Sequence, residues 1–473
     1  MTPGLPDPFT TVALSLLHFL LAAAVTAHAL LHKRDPGSAV AWIGLAWLSP
    51  VVGSVLYVLL GVNRVQRRAK GLEIEVSPRA ASAPAPQAAR RDDHLAALER
   101  AGQRISRRSL DDGNEIRMLQ NGDEAYPAMI AAIDGASATV SLSSYIFRAD
   151  AAGAVFVDSL RRAHARGVQV RVLIDGFGGG YLWSRTFRQL KSAGVPVARF
   201  LHSAMPWRMP FLNLRTHRKV LTVDGRVAFT GGLNIGAENL VSRSPRSPVM
   251  DTHFRLVGPV VAQLCEAFGE QWSFATGEAL AGPQWFPPPE PAGASLARVV
   301  TSGPDQDLEK IELLVLEAIG CARHSIRIMT PYFLPDERIV TALVLAALRN
   351  TEVDIVLPEH SNHPAVDWAT RAHIGPLLAA GCRVWTHPAP FDHSKLMTLD
   401  GTWGFVGSAN WDTRSFRLNF EINVEIYDPA VVRAVEGKIV AKRARRITGA
   451  ELERRPMAVR LRDGAARLLL PYL

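Results

Sequence analysis

The sequence predicts an α/β protein in which two similar domains follow two membrane-spanning helices. Three observations support this fold class. Two long apolar segments lie near the N-terminus, β-branched strands alternate with helical segments through the rest of the chain, and one pattern of polar residues occurs in each half. Strands that alternate with helices are typical of sheets covered by helices. At 473 residues the chain is long enough for two or three domains.

The N-terminal segment, residues 1–72, is predicted to be a membrane anchor. Its apolar parts, about 9–31 and 38–62, each approach or exceed the roughly 20 residues that span a bilayer. A signal peptide is disfavoured, because no basic region precedes the first part and a second apolar part follows closely. The basic residues nearby are Lys33 and Arg34 between the two parts, and Arg64, Arg67, Arg68 and Lys70 after the second. The side with more Lys and Arg is expected to be cytoplasmic, which places the rest of the chain in the cytoplasm.

Composition divides the remaining chain into four parts. Residues 73–93 are rich in Ala and Pro and are predicted to be a linker. A first α/β domain is predicted at 94–282, a proline-rich connection at 283–296, and a second α/β domain with a basic tail at 297–473.

Each domain is predicted to contain the same alternation of strands and helices. In the first, strands at 139–142 and 168–173 flank a helix at about 152–166. In the second, the expected order is helix, strand, helix, strand, at about 309–321, 325–329, 337–348 and 353–357.

The polar pattern that occurs in both halves is H-x-K-(x4)-D-(x6)-G-[GS]-x-N. The first copy consists of His217, Lys219, Asp224 and Gly231-Gly232-Leu233-Asn234, and the second of His393, Lys395, Asp400 and Gly407-Ser408-Ala409-Asn410. A single copy would be only a basic strand followed by a turn, but two copies with matching continuations indicate a function. Two histidines and two lysines are groups that can break and remake a phosphodiester without a metal ion.

The spacing within the motif has a structural explanation. Residues 219–224 are short, apolar and β-branched, which predicts a strand on which residues i and i+2 share a face. His217 is therefore expected beside Lys219. The Asp-Gly pairs at 224–225 and 400–401 predict hairpin turns that return a glycine-rich corner and an asparagine amide to the histidine. The predicted site combines an acid or nucleophile, a cation and a neutral donor around one oxyanion.

Net charge and cysteine content bear on the binding partners, metal sites and disulfides that the chain could have. A net charge of +9 suits anionic lipid surfaces and nucleic acids equally well. The three cysteines, Cys265, Cys321 and Cys382, are scattered, so they indicate neither a zinc site nor a disulfide framework. Neither half has an evident cluster of carboxylates for magnesium, so no metal and no cofactor is expected.

The doubled motif resembles that of the phospholipase D superfamily, in which two such motifs meet at a pseudo-twofold axis and build one active site. The resemblance implies two pseudo-symmetric phospholipase D-like domains. It implies that the catalytic residues are His217, Lys219, Asp224, His393, Lys395 and Asp400, supported at the phosphate by Asn234, Asn410 and Ser408. Asp224 and Asp400 belong to the motif. They are expected either to contact the phosphate or to brace the structure of the motif without contacting it.

The resemblance also implies carboxylates that orient the histidines. Glu421 lies eleven residues after Asn410, where the family places such an acid. The first half has Pro245 at that spacing, and Asp251 resembles a substitute, with a surface salt bridge as the alternative. A carboxylate on one imidazole nitrogen fixes the tautomer and stabilises the charged ring.

Further segments resemble bacterial cardiolipin synthases of the type with two transmembrane helices. These segments are Ala41-Trp42, 50–53, 57–61 and 330–335. The implied protein is a multi-pass phosphatidyltransferase of the bacterial inner membrane with cytoplasmic catalytic domains. It would make cardiolipin and glycerol from two phosphatidylglycerol molecules through a phosphatidyl-histidine intermediate. His217 is expected to be the nucleophile and His393 the acid and base, although pseudo-symmetry leaves the reverse open.

Other functions remain open from the sequence alone. A phospholipase D-type hydrolase would use water as the acceptor, and a transphosphatidylase would use another alcohol, such as phosphatidylethanolamine. A membrane-anchored nuclease is disfavoured by the apolar segments, so phospholipids and the membrane are the expected partners and nucleic acid is not. A scaffold that only binds lipid would require an impaired motif, which this sequence lacks.

Four smaller features have two interpretations each. Tyr145 and Tyr332 line the headgroup site or lie in the core. The segment 205–212 enters the membrane interface or is a packed loop. The arginines of the tail bind anionic headgroups or form a solvated basic helix. Asp392, directly before His393, alters the titration of that histidine or the choice of acceptor.

Overall fold

The computed structural model describes residues 8–33, 36–61, 93–180, 183–202, 214–304 and 307–468. The described residues do not include residues 73–92 of the predicted linker, the segment 205–212 with its two interpretations, or the end of the chain from 469. The helices of residues 8–61 form one unit, and the described residues from 93 onward form a second.

The first predicted membrane span is a single helix, and the second is an interrupted one. In helix α1 (Pro8–His32), residues Thr11–His32 are long and apolar enough to cross a bilayer. The second apolar segment consists of α2 (Pro36–Leu48), α3 (Pro50–Leu56) and a π-helical turn at Tyr57–Gly61. Proline has no backbone N–H and fits the first turn of a helix, so α3 begins at Pro50. Among the described residues, α1 alone has the length of a span.

The three N-terminal helices pack on each other and expose apolar side chains. Their shared core contains Val25, Ala29, Trp42, Ala46 and Tyr57. Much of the exposed surface is also apolar, and includes Phe9, Val12, Leu14, Leu16, Leu17, Phe19, Leu20, Leu48, Val51 and Val52. Large exposed apolar patches mark membrane or protein contacts in general, and this surface matches the predicted anchor.

The larger unit alternates strands and helices through both halves. The first half contains α4 (Asp93–Ser106), β1 (Asp111–Gln120), α5 (Asn121–Asp134), β2 (Thr139–Ser144), α6 (Ala151–Ala165), β3 (Gln169–Asp175), α7 (Arg185–Ser192), β4 (Val197–Phe200), β5 (Arg215–Thr216), β6 (Val220–Val223), β7 (Val227–Gly231), β8 (Val249–Met250), β9 (Thr252–Val257) and α8 (Val260–Thr276). The second contains β10 (Ser295–Ser302), α9 (Lys310–Cys321), β11 (Ser325–Met329), β12 (Phe333–Leu334), α10 (Glu337–Leu348), β13 (Glu352–Pro358), α11 (Pro364–His373), α12 (Gly375–Ala379), β14 (Arg383–His387), β15 (Phe391–Asp392), β16 (Leu396–Leu399), β17 (Trp403–Gly407), β18 (Trp411–Asp412), α13 (Thr413–Arg417), β19 (Asn419–Tyr427), α14 (Pro429–Ala441), β20 (Arg445–Ile447), α15 (Gly449–Glu453) and α16 (Met457–Leu468). The predicted α/β alternation is confirmed.

One 16-stranded sheet joins the two halves. Its order is β20-β14-β13-β11-β16-β17-β19-β10-β1-β9-β7-β6-β2-β3-β4, and β5 pairs with β19. Outward from the central antiparallel pair β1 and β10, the two halves follow the same sequence of elements. This is the pseudo-symmetry that the doubled motif predicted. One apolar core crosses the middle of the sheet and includes Phe254 and Leu264 from the first half and Val356 and Val424 from the second.

Both predicted Asp-Gly hairpins are confirmed. Strand β6 pairs with β7, and β16 pairs with β17, both antiparallel. The turn residues Asp224 and Gly225 have φ of 52° and 61°, and Asp400 and Gly401 have 52° and 66°. Positive φ at both central residues is the type I′ geometry that suits the twist of a hairpin, and Asp-Gly tolerates it.

Helix α4 packs on the second half, so a first domain starting at residue 94 does not match the packing. Leu95 and Leu98 lie in the same apolar core as Ile311 and Val315. Arg298 Nη1 donates to the carbonyl oxygen of Glu99 at 3.2 Å. The chain enters the larger unit on the second half and crosses to the first half through β1.

Candidate active site

The two motif histidines lie side by side. The ring centroids of His217 and His393 are 6.4 Å apart, and the ring planes are nearly perpendicular at 85°. Both rings are largely buried and line one cavity of about 570 Å³. One histidine from each half therefore reaches the same space, as the doubled motif predicts.

Backbone pairing between the halves holds both histidines in place. Strand β5 runs parallel to β19 of the second half, and the amide of His217 donates to the carbonyl of Phe420 at 2.9 Å. Strand β15 runs parallel to β8 of the first half, and the amide of His393 donates to the carbonyl of Met250 at 2.8 Å. Each histidine is thus attached to the half that does not contain it.

The orienting carboxylates are exchanged between the halves. Nδ1 of His217 lies 3.0 Å from both oxygens of Glu421, and Nδ1 of His393 lies 3.0 Å from Oδ2 of Asp251. Asp251 is fully buried, so it does not form the surface salt bridge that the sequence left open. Its contact with the histidine of the other half could not be read from its position in the sequence. With Nδ1 engaged, Nε2 of each ring is the atom available for reaction.

The difference between Gly232 and Ser408 follows from these carboxylates. Oγ of Ser408 donates to Oε2 of Glu421 at 2.5 Å. A Cβ at Gly232 would lie 2.3 Å from Oδ1 of Asp251, closer than real Cβ atoms approach. Each half therefore pairs its carboxylate with a residue that fits beside it, which explains why the two copies of the motif differ here.

Both motif lysines are buried next to the histidines. Nζ of Lys219 donates to the carbonyl of His217 at 2.8 Å, and Nζ of Lys395 donates to the carbonyl of His393. Burial lowers the pKa of Lys395 to about 8 and also lowers that of Lys219, while the carboxylates of Glu421 and Asp251 oppose the shift. Each lysine therefore holds its Nζ against the backbone of the motif histidine two residues before it.

The pKa values of both histidines lie below that of free imidazole. Burial and the charge of Lys395 lower the pKa of His393 to about 3. Burial and the charges of both lysines lower the pKa of His217 well below 6.5. A bound phosphodiester adds a negative charge, which favours protonated imidazole. An anion bound beside the rings would therefore raise their pKa values.

The two carboxylates differ in their charge state. Burial raises the pKa of Glu421 to about 7, although the charge of Lys219 opposes it. Burial alone would raise the pKa of Asp251, but the hydrogen bond from His393 and the charge of Lys395 hold it below 3.8. The pKa of Asp251 is therefore shifted below its usual value and that of Glu421 above it.

The motif asparagines and the two tyrosines also line the cavity. Asn234 and Asn410 come from equivalent corners after the two hairpins. The ring centroid of Tyr145 is 5.0 Å from that of His217, and that of Tyr332 is 6.1 Å from that of His393. Both tyrosines therefore line the cavity. From the sequence alone, a position in the apolar core was equally open.

Asp392 forms a buried network behind His393. Its Oδ1 accepts hydrogen bonds from the amide and hydroxyl of Ser394, and Nζ of Lys442 lies 3.3 Å from its Oδ2. The charge of Lys438 is the largest influence that offsets burial and holds the pKa of Asp392 below 3.8. The charge of the acid before His393 is thus balanced by Lys438 of α14 and by Lys442, which directly follows that helix.

The basic tail is largely engaged in ion pairs within the protein. Arg443 contacts Asp354 at 2.9 Å, Arg445 contacts Glu451 at 2.9 Å, and Arg462 contacts Asp463 at 2.7 Å. Arg455 also contacts Asp463. These contacts favour a structural role for this part of the tail over either interpretation from the sequence.

The motif aspartates lie at the opposite ends of β6 and β16 from the histidines. The carboxylate of Asp224 accepts hydrogen bonds from the amides of residues 137–139 at 2.8–2.9 Å. That of Asp400 accepts from the amides of residues 323–325 at 2.7–3.0 Å, and from Nε2 of His94 at 3.1 Å. These contacts give both aspartates the bracing role.

Replacing either brace with asparagine should reduce stability more than activity. Asp400→Asn and Asp224→Asn are each expected to lower the free energy of unfolding by about 2 kcal/mol, because a charged acceptor of several amides is lost. The fraction of each variant that remains folded should retain most of its activity. Urea unfolding and activity of the detergent-solubilised protein measure the two effects. A large loss of rate at unchanged stability would contradict the bracing role.

Two arginines of the cavity wall were not identified from the sequence. Arg215 precedes His217 by two residues, and Arg414 follows Asn410 by four; both line the cavity. The position of Arg215 could have been predicted from its spacing to His217, since residues i and i+2 of an extended segment share a face. Arg414 had none, because α13 is too short to show a periodic pattern.

Comparison with known proteins agrees with the geometry. The family model described as cardiolipin synthase, phospholipase D-like domain, matches residues 129–268 and 315–441. A model of the phospholipase D-nuclease N-terminal region matches residues 20–61.

Curated relatives match over almost the whole chain. A cardiolipin synthase of Geobacillus kaustophilus is 33% identical, and the match covers 97% of this chain and 94% of that protein. The major cardiolipin synthase ClsA of Bacillus subtilis is 31% identical, with 97% and 98% covered. The crystal structure of phosphatidylserine synthase from Haemophilus influenzae Rd KW20 superposes with a TM-score of 0.59 at 15% identity, over 80% of this chain and 100% of that chain. The last match shows a shared fold. With two phospholipase D motifs in one cavity and full-length relatives at this identity, the chain is an enzyme of the phospholipase D type and belongs to the cardiolipin synthase family.

Proposed function

We propose that this enzyme is a membrane-bound phosphatidyltransferase that makes cardiolipin and glycerol from two molecules of phosphatidylglycerol. The observation that carries the proposal is the pair of histidines, 6.4 Å apart, each held through Nδ1 by a buried carboxylate of the other half. Two imidazoles in one cavity supply a nucleophile and an acid for the same phosphorus atom.

In the first step, Nε2 of His217 attacks the phosphorus of the donor phosphatidylglycerol. A P–N bond forms, the P–O bond to the terminal glycerol breaks, and His393 gives a proton to the departing oxygen. The assignment of His217 as nucleophile rests on the family resemblance. The buried carboxylate of Asp251 on Nδ1 would stabilise the ring of His393 while it carries the proton.

In the second step, His393 takes the proton from a glycerol hydroxyl of the acceptor phosphatidylglycerol. That oxygen attacks phosphorus, the P–N bond breaks, and cardiolipin is released. Lys219, Lys395, Asn234 and Asn410 hold the nonbridging oxygens while charge develops. Two successive displacements retain the configuration at phosphorus.

Product analysis with phosphatidylglycerol labelled in the acyl chains tests this function. The purified enzyme in mixed micelles should convert the label to cardiolipin. Phosphatidic acid in place of cardiolipin would identify a hydrolase, and a product that appears only when phosphatidylethanolamine is added would identify a different acceptor. Salt-sensitive cleavage of DNA with no lipid product would support the nuclease.

We also propose that residues 8–61 cross the bacterial inner membrane twice and leave both catalytic halves in the cytoplasm. The apolar outer surface of the N-terminal helices and the basic residues after 62 support this topology. A reporter that folds only in the cytoplasm should be active when fused after residue 473, and a periplasmic reporter at the same place should be silent. The opposite result would reverse the orientation.

A further inference from the structure

Helix α16 presents an apolar face to the outside of the larger unit. Met457, Leu461 and Leu468 are 65%, 66% and 78% exposed. Their spacings of four and seven residues place all three side chains on one face of the helix. Exposed apolar side chains that are scattered singly need no explanation, but a group on one helix face indicates a contact surface.

The opposite face of α16 is held on the protein by buried contacts. Asp463 is fully buried and pairs with Arg455 and Arg462. The guanidinium of Arg462 lies 4.4 Å from the centroid of the Trp368 ring on α11. Ala466 packs in one apolar cluster with residues of α11. The apolar outer face therefore cannot turn inward without breaking these contacts.

Basic side chains border the outer face of α16. Arg460 and Arg467 are seven residues apart, lie along one side of the apolar face, and are both exposed. The one acid of α16, Asp463, is buried on the opposite face. Apolar side chains bordered by arginines are typical of helices that lie in the interface of an anionic membrane. The long arginine side chains can reach the headgroup phosphates while the apolar groups enter the acyl boundary.

The helix beneath α16 leads to the catalytic cavity. Residues 364–366, at the start of α11, line that cavity. Val366 lies in the same apolar cluster as Ala466 of α16, and Tyr332 of the cavity wall packs against this cluster. A surface that contacts α16 would therefore be separated from the cavity wall by a single layer of packed side chains.

The charge on α16 distinguishes between two occupants of its outer face. A twofold contact with a second copy of the chain would bring Arg460 and Arg467 close to the same arginines of that copy. Like charges oppose such a contact, whereas anionic headgroups attract both side chains. Charge therefore favours a lipid surface over a second copy.

We propose that the outer face of α16 docks on a bilayer that contains anionic phospholipid. Its three exposed apolar side chains lie at the boundary of headgroups and acyl chains, and Arg460 and Arg467 contact lipid phosphates. The contact is separate from the helices of residues 8–61 and requires no particular acceptor lipid, so it goes beyond the proposed reaction. It holds the wall of the catalytic cavity at the surface that contains the substrates.

Quenching by brominated lipid tests this contact in the full-length enzyme. Cys321→Ser removes the one native thiol that is not buried, and Leu461→Cys then carries an apolar bimane label. The vesicles contain phosphatidylserine and phosphatidylcholine that is brominated on its acyl chains. The label should lose most of the fluorescence that it has in the same vesicles without bromine. This measurement needs no turnover, so its result is independent of the proposed reaction.

Leu348→Cys, labelled in the same way, is the matched control. Leu348 is 65% exposed, close to Leu461, but it lies at the end of α10. The strand that follows α10 begins where the amide of Glu352 donates to the carbonyl of His324, at the edge of the sheet that contains the Asp400 brace. Its label should lose little fluorescence. Equal quenching at both positions, or none at 461, would overturn the docking surface. A label at 461 that responds only to a second labelled copy would identify a self-contact and would also overturn it.

The role of charge is tested by replacing both arginines of the outer face. The labelled protein with Arg460→Gln and Arg467→Gln should be quenched less than its labelled parent in the phosphatidylserine vesicles, because one arginine near an anionic surface contributes about fivefold to binding. In vesicles of brominated phosphatidylcholine alone, the parent should also be quenched less. Quenching that neither change reduces would contradict an anionic surface as the partner.

Discussion

Replacing His217 or His393 with alanine is expected to reduce cardiolipin formation by a factor of about 10³. Each variant removes one of the two groups that must act on the same phosphorus, and a neighbouring lysine cannot replace an imidazole at either position. Lipid extracts of cells that express the variants should contain no new cardiolipin. His324→Ala, at an exposed position beside the Asp400 brace, is the control and should make cardiolipin.

The roles of the two histidines can be distinguished with a phosphatidyl donor whose leaving group departs without protonation by a catalytic acid. A p-nitrophenyl ester of phosphatidic acid loses its leaving group without protonation. If His217 is the nucleophile, His393→Ala should still release nitrophenolate once and accumulate a phosphatidyl-enzyme, because no base then activates the acceptor. His217→Ala should show neither the burst nor the added mass. The reverse pattern would exchange the two roles, and a covalent enzyme in neither variant would rule out the phosphatidyl-histidine intermediate.

The second large effect is expected from replacing the two carboxylates that each contact the histidine of the other half. Glu421→Gln and Asp251→Asn should each lower turnover by about 10²- to 10⁴-fold, as expected when an imidazole loses the anion that fixes its tautomer. Each amide is close in size to the acid it replaces, so packing is retained. The loss should appear in kcat with the folded fraction unchanged.

The nitrophenyl donor also shows on which histidine each carboxylate acts. Glu421→Gln should slow the burst, because Glu421 contacts His217. Asp251→Asn should leave the burst closer to that of the wild type and slow the transfer to acceptor, because Asp251 contacts His393. If Asp251→Asn instead impaired the burst and Glu421→Gln the transfer, each carboxylate would act within its own half, against the geometry.

The parts of the fold that depend on local sequence could be predicted. The Asp-Gly turns required no knowledge of the rest of the chain, because the preference of Asp-Gly for positive φ decides them. The alternation of strands and helices followed from apolar periodicity in the same way. The resemblance of the repeat to the phospholipase D superfamily then implied that two such halves share one site.

The parts that depend on contacts between distant residues could not be predicted. Glu421 reaches His217 because β5 pairs with the first two residues of β19, and no periodicity reveals the pairing of a two-residue strand. The packing of α4 on the second half depends on apolar residues that would fit either core. Arg414 enters the cavity only because β18 and α13 turn it there.

The difference between Gly232 and Ser408 looked like a departure from the motif. The structure relates it to the length of the partner acid, since Asp251 occupies the space that a serine at 232 would need. A repeat compared only with itself cannot show this, because the partner lies outside the repeated pattern.

The position of α4 and the exchanged carboxylates have a consequence for synthesis of the protein. The membrane helices emerge from the ribosome first, but His217 must wait for Glu421, and α4 must wait for the core that contains Ile311. A nascent chain that ends before residue 421 therefore has no carboxylate beside Nδ1 of His217. If His217 is the nucleophile, as proposed, only completed molecules can transfer a phosphatidyl group, and unfinished or truncated copies should be inactive.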